Sequence, residues 1–299
     1  MRKDAGRVMS AFETNVQADK ATGDYVVCHG IRIDFSEIIN EDMLTSAGIK
    51  AMRQQFQTNT PFPHLVIDRL FSPQLLELMY AEFDDMKWND LRVAATAVEI
   101  KRGSLPNAKF GPAAQIYFQA IASGRFIDIL KQITRIDGLV CDTELYNGGL
   151  HEIPNRGHFS VHIDFTHHPV TNLDNRLVLI TYLNEGWIED DGGLLELWDK
   201  EANACAKKVV PLIGRTILFY QSALSLHGVS LTKKARGAKP RRSAACYYYS
   251  NGREDESEHA GNTEYFQSKN DNFRFKQNVR MFIPPVLVNL VQSFRRAWS

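Results

Sequence analysis

Cysteine is scarce and scattered: Cys28, Cys141, Cys205 and Cys246 stand far apart in 299 residues, with no Cys-x-x-Cys pair. That spacing excludes a dense disulfide framework and fits a reducing compartment better than secretion. No stretch approaches the roughly 18 consecutive apolar residues of a membrane span, and Met1 to Asn15 lacks the apolar core of a signal peptide. A cytoplasmic protein is therefore expected, with no membrane partner. Charge of one sign is also missing, because 35 Lys+Arg are matched by 35 Asp+Glu. A neutral chain sets up no global field for nucleic acid, so none is expected as a partner. The short basic cluster Lys233-Lys234-Ala235-Arg236, with Lys239, Arg241 and Arg242 after it, reads as a solvated loop leading into a strand. There is no internal repeat and no low-complexity tract. What is present is 44% hydrophobic and 10% aromatic residues, enough to bury a sizeable core.

Residues 1–23 are polar and small and read as a flexible tail, and residues 24–299 as a single domain. Its N-terminal part, about 24–138, is expected to be helical after a first strand over Asp24 to Ile33, where Tyr25, Val26, Val27, Ile31 and Ile33 are β-prone. Ser72-Pro73 marks a helix start, followed by a stripe of Leu75, Leu76, Met79, Tyr80 and Phe83 at helical spacing. A second helical region spans Pro112 to Ile133, broken near Ser123-Gly124. From Leu139 the rhythm changes to short β-rich runs separated by turn residues, which predicts a jelly-roll core over about 139–250 with helices packed outside it, a mainly β (α+β) fold. The expected strands are Leu139–Tyr146, His158–Asp164, Arg176–Asn184, Leu194–Asp199, Lys208–Pro211, Thr216–Tyr220, Ser225–Leu231 and Arg241–Ser250. Asp191-Gly192-Gly193 supplies a turn. Residues 251–299 read as a C-terminal extension: a surface excursion to Arg280, then an amphipathic helix carrying Val286, Leu290, Val291 and Phe294, suited to packing on the barrel or to homodimer formation.

Within the strand-rich core stand His162-Ile163-Asp164, a single His227, and Arg241-Arg242-Ser243. Residues two apart on a strand share a face, so His162 and Asp164 can grip one ion from one side of a sheet, with His227 arriving from another strand. Two imidazoles and a carboxylate form the facial triad of a non-haem Fe(II) site, which leaves coordination positions open; Zn(II) would bind the same residues. Arg241 and Ser243 share a face and offer a planar fork and a hydroxyl to a carboxylate. Arg242 competes, since a register shift of one exchanges inward and outward residues. Arg241 is favoured because it also shares its face with Tyr247.

The order of these motifs, Gly157 to Asp164, Arg176 to Asn184, Gly192 to Trp198, Gly214 to Phe219, His227-Gly228-Val229 and the strand from Arg241, resembles the prolyl-4-hydroxylase-like branch of the 2-oxoglutarate and Fe(II)-dependent oxygenases. The likeness runs from about Leu145 to Ser250, with Pro61 to Asp68 as a lead-in strand. The resemblance implies a dioxygenase that hydroxylates an unactivated C–H bond while 2-oxoglutarate becomes succinate and CO₂. It implies His162, Asp164 and His227 as metal ligands and Arg241 and Ser243 on the distal carboxylate of 2-oxoglutarate. Tyr146 would hydrogen-bond that cosubstrate, Fe(II), 2-oxoglutarate and O₂ would be needed, and ascorbate would serve as a reductant. Relatives that halogenate carry a small residue in place of the carboxylate, so Asp164 favours hydroxylation. The substrate class is a free amino acid, a peptidyl proline or another polar metabolite, read by the loops after Asp164, around Asp190 and from Asn251 to Arg280. Two alternatives stand beside this reading: a non-catalytic metal-binding jelly roll, and a nucleic-acid demethylase.

Overall fold

The structure, a computed structural model, describes residues 24–233, 239–253 and 263–266. The expected tail, the basic loop around 234–238 and the C-terminal helix with its self-association lie outside the described residues. The strand expected over Asp24 to Ile33 is instead a hairpin of β1 (Tyr25–Cys28) and β2 (Ile31–Asp34). His29 and Gly30 both adopt positive φ, which turns the chain back on itself. A one-turn helix α1 (Phe35–Ile38) follows, then α2 (Ser46–Thr58), which the sequence reading missed. The Thr45 side chain caps α2 by accepting from the Gly48 N–H at 3.1 Å, and Ile49, Met52 and Phe56 form its buried face.

After β3 (His64–Asp68), α3 (Pro73–Glu82) starts where expected, with Pro73 in its first turn, although the Ser72 side chain makes no capping bond. An unanticipated hairpin, β4 (Leu91–Ala95) and β5 (Glu99–Ser104), interrupts the stretch read as helical. The break near Ser123 separates α4 (Pro112–Ala122) from α5 (Gly124–Thr134), and the Ser123 hydroxyl accepts from the Phe126 N–H at 3.2 Å.

Among the described residues, the remaining strands are β6 (Val140–Cys141), β7 (Gly149–Ile153), β8 (His158–Ile163), β9 (Asp174–Tyr182), β10 (Leu195–Asp199), β11 (Ala204–Val209), β12 (Arg215–Tyr220), β13 (His227–Val229), β14 (Arg241–Ser250) and β15 (Glu264–Tyr265). The strand expected over Leu139–Tyr146 shrinks to β6, and β7 was not foreseen. All pairings between these named strands are antiparallel. They build one curled sheet in the order β11, β10, β13, β8, β5, β7, β14, β9, β12, β3, the half-barrel of a jelly roll. Sheet path and helices together make the mainly β architecture with outer helices that the sequence predicts.

Both faces of the central strands are covered, so alternate residues enter different cores. On β9, Leu177 and Leu179 join α2 to α5 in the outer core, while Val178 and Tyr182 point into the barrel with Phe62, Phe165, Leu197 and Phe219. On β14 the split falls between Ala244, Cys246 and Tyr248 outside and Tyr247 and Tyr249 inside, and all ten of its residues are buried. No helix among the described residues is long and apolar enough to cross a membrane.

Candidate active site

The cavity inside the curled sheet has a volume of about 570 Å³, and His162, Asp164, His227, Arg241, Ser243 and Tyr146 all line it. β13 lies beside β8 with His227 in register with His162, which brings the two imidazoles together across neighbouring strands. Their approach needs Gly228, where a Cβ would lie 3.0 Å from the Phe159 carbonyl and the Val161 backbone. Each imidazole is oriented in the same way: His162 Nδ1 donates to the Ser160 carbonyl at 2.7 Å, and His227 Nδ1 to the Ser225 carbonyl at 2.9 Å. Both Nε2 atoms then carry a lone pair and face Asp164, at 3.2 Å and 3.5 Å. The three ligand atoms lie within 4.8 Å of one another and all three residues are buried.

Two groups to which the sequence reading gave no role beside the carboxylate steady Asp164. Gln221 Nε2 and the Tyr247 hydroxyl both donate to Oδ2, at 3.1 Å and 3.2 Å. Burial works against the charge of Asp164, but His227 and His162 beside it, with Lys101 further off, hold its carboxyl well below the usual carboxylate range. Burial and the neighbouring His162 pull His227 down to about 4. An ionised carboxylate beside the neutral imidazole of His227 is a protonation state that can coordinate a cation.

Deeper in the cavity the strand facing is settled by contacts. Arg241 points inward, its Nε donates to the Gly193 carbonyl at 2.7 Å, and its guanidinium lies 5.0 Å from the Tyr182 ring centroid. Gly193, at φ +64°, makes room for it, because a Cβ there would sit 3.0 Å from Arg241 Cδ. No carboxylate of the described residues pairs with Arg241, and burial lowers its pKa. The Tyr182 hydroxyl beside it is buried and interacts with the Arg241 guanidinium without reaching good hydrogen-bond geometry. Arg242 faces the opposite way, into the helices, where it pairs with Glu152 at 2.9 Å and with Asp84. Tyr146 is held at the cavity wall because the Asp142 carboxylate accepts from the N–H groups of Glu144, Leu145 and Tyr146. Its ring packs edge-on against His168.

The loop after Asp164 lines the cavity through His167, His168 and Asn172. The segment around Asp190, expected to read substrate, does not reach it. Part of the C-terminal extension does: β15 pairs with the end of β8, and Tyr265 lies opposite His162. The β4–β5 hairpin contributes Arg92, Glu99 and Lys101, which the sequence reading did not single out. On β5 polar residues face the cavity, so hydrophobic alternation gave no sign of them.

Two imidazoles and one carboxylate on or just after adjoining jelly-roll strands make a group that could hold one metal ion, and a buried guanidinium with no carboxylate partner among the described residues lies in the same cavity. Residues 148–249, about a third of the chain, match the family model of the 2OG-Fe(II) oxygenase superfamily. The donor set fits Fe(II), and the unpaired Arg241 fits a carboxylate-bearing cosubstrate. Among solved structures, a Pseudomonas putida prolyl-4-hydroxylase aligns at 17% identity over 68% of this chain and all of its own, with a TM-score of 0.51, and shares the fold. A Trichoplax adhaerens prolyl hydroxylase, solved with a hypoxia inducible factor peptide fragment, aligns at 15% identity over 72% of this chain and 95% of its own, with a TM-score of 0.49. HygX from Streptomyces hygroscopicus, solved with nickel, 2-oxoglutarate and hygromycin B, aligns at 15% over 72% and 97%, with a TM-score of 0.47. The curated proteins gave no match.

Proposed function

We propose that this protein is a 2-oxoglutarate-dependent dioxygenase that hydroxylates an unactivated C–H bond of a small substrate, with His162, Asp164 and His227 as the metal ligands. The observation that carries the reading is the convergence of these three buried ligands and the unpaired Arg241 on one cavity. When bound, Fe(II) with 2-oxoglutarate and O₂ supplies the oxidising power, and 2-oxoglutarate leaves as succinate and CO₂.

The chain's own residues do the rest. Ser160 and Ser225 carbonyls fix the tautomer of both histidines, and Gln221 and Tyr247 fix the carboxylate rotamer of Asp164. Arg241, Ser243 and the Tyr182 hydroxyl form the clamp for the distal carboxylate of 2-oxoglutarate, with Tyr146 as a further hydrogen-bond donor at the wall. The apolar shell of Phe62, Phe165, Val178 and Phe219 keeps bulk water from the inner end of the barrel. Asp164 stands where relatives that halogenate carry a small residue, which favours hydroxylation over halogenation and leaves desaturation and ring closure as alternatives.

The test is succinate release from 2-oxoglutarate by anaerobically Fe(II)-loaded protein exposed to O₂. His227→Ala should abolish it while the thermal unfolding midpoint of the metal-free protein stays close to that of the parent, since the ligands are not what holds the sheet together. Full turnover in His227→Ala would end this assignment.

A further inference from the structure

The β4–β5 hairpin lies outside the matched superfamily core, yet it puts three charged side chains into the cavity. Ala94 pairs with Lys101 across the hairpin, so Arg92, two residues before Ala94, shares the inward face with Glu99 and Lys101. Lys101 Nζ lies 3.3 Å from Glu99 Oε2, with only 13% and 14% of the two side chains exposed. The same ammonium sits 3.7 Å from the Phe159 ring centroid, and Phe159 stacks at 3.9 Å on His162. Lys101 is thus one ring away from a metal ligand. Arg92 has one weak contact, 3.4 Å to Asn147 Oδ1.

Ion pairs that turn towards a cavity gain little for stability, because desolvation offsets their attraction. Their charges must be accounted for by what the cavity receives. The charges of Fe(II), Asp164, Arg241 and doubly ionised 2-oxoglutarate cancel. Lys101, Arg92 and Glu99 remain: two cations beside one anion on the wall of the space left for substrate, so a zwitterion finds a partner for each of its charges and one cation stays in excess. A carboxylate can be received between the lysine and the arginine, and as Lys101 turns to it, Glu99 becomes free to accept an ammonium. An α-amino acid carries these two groups one carbon apart, matching the adjacent Glu99 and Lys101.

We infer that the substrate is a free α-amino acid, held as a zwitterion by Glu99, Lys101 and Arg92, with its side chain directed at the metal. The inference rests on the oxygenase reading above. These are specificity residues, since they hold the substrate away from the atoms that react.

The experiment has two parts. First, the 20 common L-amino acids are screened for stimulation of succinate release by the Fe(II)-loaded full chain, each beside its N-acetyl and carboxamide derivatives. At least one free amino acid should stimulate, and both of its derivatives should fail. Second, that amino acid is titrated calorimetrically into the metal-free full chain, where the hairpin charges are already in place. Lys101→Met and Arg92→Ala should each weaken binding by about tenfold or more, the range for losing a hydrogen bond to a charged group. Glu99→Gln should narrow the gap between the amine and its N-acetyl form. The inference is overturned if an uncharged derivative stimulates as well as its parent, or if no amino acid stimulates an enzyme that still turns over 2-oxoglutarate in an Arg241-dependent way. If 2-oxoglutarate turnover is itself missing, the oxygenase reading fails first and the inference falls with it.

Discussion

Exchanging either of two adjacent arginines for alanine should damage this protein in different ways. In the proposed function, Arg241→Ala removes the main partner of the cosubstrate's distal carboxylate. Truncating one member of a buried charge-assisted pair costs about 2 to 5 kcal/mol, and at about 1.4 kcal/mol per decade the apparent affinity for 2-oxoglutarate should weaken by about 30-fold or more. Stability should change little or improve, because Arg241 is a buried cation with no anionic partner among the described residues. Arg242→Ala acts on the other face of the strand. There the guanidinium is shared among Glu152, Asp84 and the Tyr80 carbonyl, and packs against the rings of Tyr80 and Phe83. Its loss leaves the buried Glu152 with Arg102 as its remaining partner. Since Asp84 is largely exposed and Arg102 stays, the cost falls at the lower end of the range for breaking a buried pair, about 3 kcal/mol. The unfolding midpoint should drop by roughly 6 °C or more, with a near-normal KM for 2-oxoglutarate. The assays are a 2-oxoglutarate titration of succinate release and a thermal melt of each variant. A large rise in KM for Arg242→Ala at an unchanged melting temperature, with Arg241→Ala normal, would refute the facing of β14 and the clamp built on it.

Three further outcomes follow from the same contacts. Tyr182→Phe removes one neutral donor from the clamp and should raise the 2-oxoglutarate KM by about fivefold to tenfold, equivalent to about 1 to 1.4 kcal/mol; an unchanged KM would place its hydroxyl outside the clamp. In high chloride the main product, read by mass spectrometry once a substrate is in hand, should be hydroxylated, and a chlorinated main product would remove Asp164 from the metal. Burial, with Lys101 and Arg92 nearby, pulls His151 down to about 3. Its folded pKa lies below the unfolded value of about 6.5, so the unfolded chain binds the extra proton first and stability is lost as pH falls below that value, by up to about 1.4 kcal/mol per pH unit until about pH 3. Denaturant midpoints measured from pH 7 to pH 4 should fall less steeply in His151→Gln than in the parent, and equal slopes would count against a neutral buried imidazole.

The central strands of the sheet were legible because they are buried on both sides. Arg176 to Asn184 and Arg241 to Ser250 read as continuous β-prone runs bounded by turn residues, and the structure places β9 and β14 there. His162 and Asp164 were recognisable from their two-residue spacing, and His227 from its place after the Gly214 to Phe219 run. Arg241 could be preferred over Arg242 from the face it shares with Ser243 and Tyr247, and in the structure it is the arginine that lines the cavity. The hairpin of β4 and β5 was illegible for a physical reason: its inward residues are Glu99 and Lys101 and its outward Arg102 pairs with buried Glu152, so neither face shows an apolar period. Gln221 gave no signal either, since a glutamine after a strand reads as a surface residue until the chain is folded and Asp164 is found above it. The hairpin in place of the first strand turned on His29, a residue with no strong preference for the left-handed conformation it adopts.

The central position of β14 has a kinetic consequence. It is hydrogen-bonded to β9 on one side and to β6 and β7 on the other, with every residue buried. Its amide hydrogens should exchange with solvent only through openings that approach complete unfolding, whereas β5 is pinned to β7 and β8 by two residues each and should exchange through small local openings. On the functional reading proposed above, the clamp for the cosubstrate would inherit the full protection of the fold, while substrate contacts would rest on a strand with short pairings that can breathe and be rewritten by mutation.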